Sequence, residues 1–377
     1  MNKRPFIILS AFLLLFSLIE KGQATETYRP ETSVAGFIQL PGSGRQVYNF
    51  NPGWRFFRGD VQGAEAVNFD DRSWNVVSTP HTVELMPAEG SGCRNYQGPA
   101  WYRKHFVLPA ETKGQRVVLH FEAAMGKQIL YLNGKRIQEH LGGYLPFTLD
   151  LTANGVQAGD SCLLAVFTDN SDDKSYPPGK RQYTLDFAYH GGIYRDVWMI
   201  AKSPVAITDA IDSQIVGGGG VFVHFDKISK KSAQVYVNTE VQNDDARSES
   251  VTVETTLTDA DGKVIKRSSG KLSLKPGEKK SIRQQMEVKN PTLWSPDTPY
   301  LYRVQSRIKK GNKSIDGGIT RVGIRLAEFR GKDGFWLNGK PFGQLVGANR
   351  HQDFAYVGNA LPNSQQWRDA KRLRDAG

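Results

Sequence analysis

Few side chains in this chain stand at spacings that do chemistry. Only two cysteines, Cys93 and Cys162, occur among 377 residues. No His/Cys cluster has zinc-ligand spacing, and no Gly-x-Ser-x-Gly elbow presents a nucleophilic serine. Zinc-type and serine-nucleophile hydrolysis therefore find no support in the sequence. Arg195 and Asp196 are neighbouring charges on an apolar strand. They point to opposite faces, so neither need be catalytic. Trp74, Trp101 and Trp198 could offer ring faces to a ligand, but buried aromatics more often fill a core. Cys162 lies in an apolar strand and Cys93 in a Gly-rich loop. Two cysteines make no disulfide framework, and free thiols are the simpler expectation.

The elements that must position any site are strands. The 38 Gly, 18 Pro and 11% aromatic residues suit short strands and tight turns better than a helical bundle. From Gln46 to about Lys202, strand follows strand. Arg116–Glu122 alternates, with Val117, Leu119 and Phe121 on one face. Gln128–Leu132 runs into Asn133-Gly134, a hairpin dipeptide. Cys162–Phe167 and Asp196–Ala201 are further apolar strands, and no amphipathic helix interrupts them. This pattern predicts a jelly-roll-like β-sandwich over 25–202. A linker at Ser203-Pro204 leads to a second β unit, 203–327. There Gln234–Gln242 alternates with Val235, Val237, Thr239 and Val241 facing one way. Val251–Leu257, Lys263–Ile265 and Tyr300–Ile308 complete the spacing of a small immunoglobulin-like sandwich without its cysteine pair.

Residues 328–377 change character. Phe335–Phe342 predicts a hairpin over Asn338-Gly339, and Gly343–Ala348 a short apolar strand. A polar loop follows, and then a helix from Ser364 that Asn363 would cap. A single strand and helix cannot bury their apolar faces, so this order is expected to be the opening unit of a truncated α/β domain. At the other end, Lys3 and Arg4 precede an apolar run from Phe6 to Ile19, with Gly22-Gln23-Ala24 at cleavage spacing. Residues 1–24 are expected to be a signal peptide, with export to a periplasm or the outside and no span in the mature chain. The formal charge is +11, but Lys227–Lys231 and Lys309–Lys310 lie beside turns and mixed with acids. A solvated basic surface, not a nucleic-acid interface, is the expectation.

Several segments in order carry a resemblance. FDDRSWNVVSTPHT (Phe69–Thr82), YQGPAWYRKHF (Tyr96–Phe106) and GGIYRDVWM (Gly191–Met199) resemble the sugar-binding domain of glycoside hydrolase family 2. LWSPDTPYLYRV (Leu293–Val304) is similar to the end of that family's immunoglobulin-like domain. FWLNGKPFGQLVGANRHQD (Phe335–Asp353) is similar to the entry into its catalytic (β/α)8 TIM barrel. The resemblance implies three substrate contacts. Asp186, six residues before Gly192, matches an acid that reaches the non-reducing sugar, and a carboxylate can accept from two vicinal hydroxyls. Asn95 matches an amide of the same domain, and His351 a barrel histidine that hydrogen-bonds the sugar ring. The run HQDFAYVGNAL departs from many β-galactosidases by having no further His or Glu, where Asp353 would serve as a polar contact or a loop cap.

The family's chemistry is retaining glycoside cleavage, which needs two carboxyl groups about 5–5.5 Å apart. The resemblance places both glutamates beyond Gly377. Glu328, Asp333 and Asp353 surround one strand only and cannot flank a glycosidic bond. No catalytic acid or nucleophile is assigned in this chain, and alone it is expected to be inactive. The implied whole is a secreted exo-glycosidase acting on a β-linked glycan or oligosaccharide, β-galactosidase-like first and β-glucuronidase-like second. A non-catalytic carbohydrate-binding or surface module is the alternative from another class. No organic cofactor is implied. The family admits Mg2+ or Na+ in the full-length enzyme, with ligands mostly outside this chain.

Overall fold

A computed structural model describes residues 31–32, 39–87 and 95–377. The expected signal peptide and Cys93 lie outside the described residues. Cys162 is buried, which pushes its thiol up to about 11 and leaves it unreactive.

Two antiparallel sheets form the first sandwich. One is six-stranded, in the order Asn75–Val77, Trp54–Arg58, Pro99–Val107, Ser161–Asp169, Lys127–Leu132, Lys135–Leu141. The facing sheet runs Glu31–Thr32, Gln46–Asn49, Val197–Lys202, Arg116–Phe121, Phe147–Asp150. Alternation decides what lies between them: Val117, Leu119 and Phe121 meet Trp54, Tyr102, Phe106 and Leu164 in one core. The expected hairpin turns where Asn133 and Gly134 take φ of 50° and 82°, the left-handed values that the Asn-Gly pair tolerates.

Pro99–Val107 is buried on its outer face too, because residues 59–74 fold over it. Trp74 and Trp101 pack there with Ala64 and Ala165. A covering loop brings backbone carbonyls that need donors. Arg103, fully buried, supplies them: its guanidinium donates to the carbonyls of Ala64, Ala66 and Phe69, and pairs with Asp71 at 2.8 Å.

In the second sandwich Ser232–Asn243 is central, flanked by Val221–Asp226 and Val205–Ile207 on one edge and by Lys279–Lys289 on the other. The facing sheet runs Val264–Leu274, Glu249–Thr258, Tyr302–Lys310, Lys313–Val322. Val235, Val237, Leu257, Met286 and Val304 fill the space between. The two sandwiches meet at Asp316, which is fully buried. It accepts two hydrogen bonds from Arg45, at 2.8 and 2.9 Å, and one from the Ile207 amide at 2.8 Å.

Beyond them lies a small antiparallel sheet of Ala327–Phe329, Phe335–Leu337 and Lys340–Pro341, with the expected turn at Asn338-Gly339. Two expectations fail after this point. Gly343–Ala348 is not a strand; its backbone is irregular and every residue in it is exposed. A strand exists only by pairing, and no neighbouring strand reaches this run among the described residues. The helix is Asn363–Asp375, preceded by Pro362, so Asn363 is its first residue and not its cap. The Asn363 amide donates instead to both Glu122 oxygens of the first sandwich, at 3.1 and 3.2 Å.

Candidate functional site

Asp186 lies on the long excursion between Ser161–Asp169 and Val197–Lys202. With little regular structure, that excursion is fixed by side chains bonding its backbone. Asn170 donates to the carbonyls of Tyr96 (2.8 Å) and Tyr189 (3.2 Å) and accepts from the Gly98 amide at 3.1 Å. Gln182 accepts from the Tyr189 amide at 3.0 Å and donates to the Asn95 side chain. Asn95 also donates to the Tyr189 carbonyl at 3.4 Å. Both polar ends of the Asn95 amide are thus used inside this network.

A second strip of chain docks against the same end of the sandwich. The Met86 amide donates to the Tyr356 carbonyl at 2.8 Å. Ala360 packs with Ala123, Met125, Tyr189 and Tyr194, and Gly358, at φ 53°, lies against the His190 ring. Burial lowers the His190 pKa, so the ring is neutral at pH 7. Arg195 reaches across to Gln352 Oε1 at 2.8 Å and the Leu361 carbonyl at 3.4 Å. Asp196 turns the other way and accepts from Asn51 at 2.8 Å. The two do reach different partners, but not as expected from the faces of a strand: the backbone is irregular at 195–196 and the strand begins only at Val197.

Between excursion and strip opens a cleft of about 570 Å³, whose walls include Tyr144, Asp186, Phe187, His351, Asp353 and Asn359. It has the size of a small-ligand site. The fold thus brings together Asp186 and His351, separated by 165 positions, but not Asn95, which does not line this cleft. The Phe187 ring stands edge-on to His351, with centroids 6.5 Å apart. Sequence reasoning did not single out Tyr144, Gln352 or Asn359 as site residues: Tyr144 comes from a distant turn, and Gln352 and Asn359 lie in the same run as His351 without a spacing that marks them. A larger cleft of about 890 Å³ lies by Leu108, Arg116 and Pro204. Its Arg116 is committed to Asp150 and Asp244, at 2.5 and 2.8 Å, so that guanidinium is already engaged within the protein.

Just behind the docked strip, Asp196 and Glu122 are close carboxylates. Burial first, and then the charge of Glu122, raise the Asp196 pKa to about 6, against the Asn51 hydrogen bond and Arg195. A carboxyl raised above its unfolded value binds more protons when folded, so stability falls as pH climbs from about 4 to about 6. Asp196→Asn should remove that penalty and gain on the order of 1–3 kcal/mol at pH 7, with no gain at pH 4. Urea midpoints of both proteins between pH 4 and 7 check this, and parallel curves would refute it.

Two family models match the chain. The sugar binding domain of glycosyl hydrolases family 2 covers residues 57–204, and a second glycosyl hydrolases family 2 model covers 219–325. The chain belongs to glycoside hydrolase family 2. A β-glucuronidase of Formosa agariphila is 32% identical over 354 residues, spanning 90% of this chain and 36% of the relative. A β-galactosidase of Thermoanaerobacter pseudethanolicus is 34% identical over 331 residues, or 88% of this chain and 42% of that protein. The solved Bacteroides uniformis β-glucuronidase 2, covalently bound to cyclophellitol-6-carboxylate aziridine, aligns with a TM-score of 0.78 at 30% identity. That match covers 88% of this chain and 39% of the solved one. This family 2 chain therefore spans 36% to 42% of the length of these relatives.

Within the family motifs, most residues hold the fold. Trp74, Trp101 and Trp198 are all buried, so none offers a ring face to a ligand. Among the described residues no group of three or more His, Cys, Asp or Glu is placed to hold a metal ion. No described helix is long and apolar enough to cross a membrane.

Proposed function

We propose that this family 2 chain supplies one wall of the substrate pocket of an exported, retaining exo-β-glycosidase, with a terminal β-galactoside as the substrate. The observation that carries the reading is the shared cleft of Asp186 and His351. A carboxylate accepts from paired sugar hydroxyls, and an imidazole can donate or accept at a third. The cleft favours a neutral sugar. Asp186 and Asp353 are acids, and the one arginine, Arg350, is committed to Asp369 and to Gln366 (3.1 Å). A sugar carboxylate would meet repulsion from those acids without an unspent cation among these walls. Neither acid is given the general-acid or nucleophile role, because a retaining pair must stand about 5–5.5 Å apart across the bond. Those two carboxylates are assigned to further residues of the full-length gene product. The reading places no role on a metal or an organic cofactor.

A β-glucuronide is the second reading, favoured by β-glucuronidase names among the relatives. Steady-state turnover of p-nitrophenyl β-D-galactoside and β-D-glucuronide by the full-length gene product separates the two. Asp186→Ala and His351→Ala should each lower kcat/KM for the preferred substrate about tenfold, the loss of one charge-assisted or oriented hydrogen bond. Melting should not change. Turnover of neither glycoside would refute the proposal, and exclusive turnover of the glucuronide would replace its substrate.

A further inference from the structure

The residues that carry His351 have almost no regular structure to hold them. From Phe342 to Asp353 the backbone belongs to no strand or helix, and positions 342–351 are all exposed. A side chain on such a stretch keeps one position only if its neighbours are tied down. Both neighbours are. Arg350 donates to Gln366 at 3.1 Å and pairs with Asp369, both on the helix Asn363–Asp375. Gln352 is held twice, its carbonyl by Gln366 at 3.4 Å and its side-chain oxygen by Arg195 at 2.8 Å.

The two sets of ties differ in origin. Those from Gln366 and Asp369 join the loop to its own following helix, and alone they would let loop and helix shift together. The tie from Arg195 comes from the first sandwich, just before the strand Val197–Lys202. Its second donor reaches the Leu361 carbonyl, two residues before the helix begins. One planar guanidinium therefore fixes both ends of the strip against the sandwich that presents Asp186. A lysine ammonium has no such fork, and reaching both acceptors is what the rigid guanidinium geometry provides. Tyr194 lies beneath the same group, 5.5 Å from its carbon to the ring centroid, and limits its swing.

We infer that Arg195 is a positioning residue that sets the distance between Asp186 and His351, acting through Gln352. The inference rests on the pocket reading given above for these two residues. Arg195 touches no substrate in this scheme. Its effect is on where the histidine stands, and a displacement of about 1 Å at a binding group is enough to cost a large factor in rate.

Two measurements decide it. In the 377-residue chain, Arg195→Ala should speed hydrogen exchange of the Phe354, Gly358 and Ala360 amides, which are hydrogen-bonded within the strip between Gln352 and Leu361, by about tenfold, while Val197–Lys202 exchanges as in the unaltered chain. Gln352→Ala should do the same. Unchanged exchange in the loop would overturn the inference, and so would equal acceleration throughout the sandwich, which means plain destabilisation. In the full-length gene product, Arg195→Ala and Gln352→Ala should each lower kcat/KM about tenfold, with the double variant no worse than either. Additive losses would show that the two residues act separately and would overturn it. Should the gene product cleave neither glycoside, the proposed function fails, and the exchange result still decides whether Arg195 orders this loop.

Discussion

Asp71→Ala is expected to destabilise the first sandwich by about 3–5 kcal/mol, because it leaves a fully buried guanidinium without its counter-charge. Arg103 and Asp71 are 0% and 3% exposed at the side chain and meet at 2.8 Å. His105 adds a second donor to the same Asp71 oxygen at 3.1 Å. Burial alone would raise the Asp71 pKa, but hydrogen bonds from His105 and Arg103, and their charges, outweigh it and the net shift is downward. The sign follows. A depressed carboxyl contributes stability above its unfolded pKa of about 4, and loses it as pH falls through the folded value. The loss from Asp71→Ala should therefore be full at pH 7 and should shrink in acid. Urea unfolding followed by tryptophan emission at pH 7 and in acid measures it. A loss under about 1 kcal/mol at pH 7 would mean that water reaches Arg103 and that the loop over Trp101 is not tightly closed.

Gly192→Ala should cost about 3 kcal/mol or more by combining two penalties. Gly192 has φ 114°, which L side chains rarely adopt, and a Cβ there would stand 2.6 Å from both the His81 carbonyl oxygen and the Tyr102 hydroxyl. Neither neighbour can withdraw. The His81 amide is bonded to the Ile193 carbonyl at 2.9 Å, and the Tyr102 hydroxyl to His81 Nδ1 at 2.9 Å. Gly277 provides the control, with φ 73° and nothing within 4 Å of its Cβ position. Gly277→Ala should lose only the left-handed backbone penalty, about 1 kcal/mol. Equal losses at the two sites would mean that the close approach at Gly192 is relaxed at no cost.

These two residues show which parts of the fold could be read from the sequence. Alternation revealed Val117, Leu119 and Phe121, because a strand buried on one face repeats every second residue. The Asn-Gly turns were equally readable, since the dipeptide carries its own backbone preference. What a residue bonds to across space was not readable. Asn363 looks like a cap by local rule, yet Glu122, 241 positions earlier, takes its amide. Gly343–Ala348 has the composition of a strand, but no pairing partner reaches it among the described residues. The candidate site divides in the same way. Asp186 and His351, which line one cleft, were named through a resemblance carried by neighbouring motifs. Asn95 came by the same route; it lies outside that cleft and hydrogen-bonds with Gln182 and Tyr189. Gln352 and Arg195 gain meaning only once their contact is seen.

The buried junction at Asp316 also carries a timetable. Arg45 and the carboxylate it grips are 271 positions apart. At about 5–20 residues per second, a ribosome needs on the order of tens of seconds to travel from one to the other. Throughout that interval the early sandwich can close its own core, which ends at Ala201, but its Arg45 must wait in water. The junction between the two sandwiches can therefore set only when Lys313–Val322 has been made.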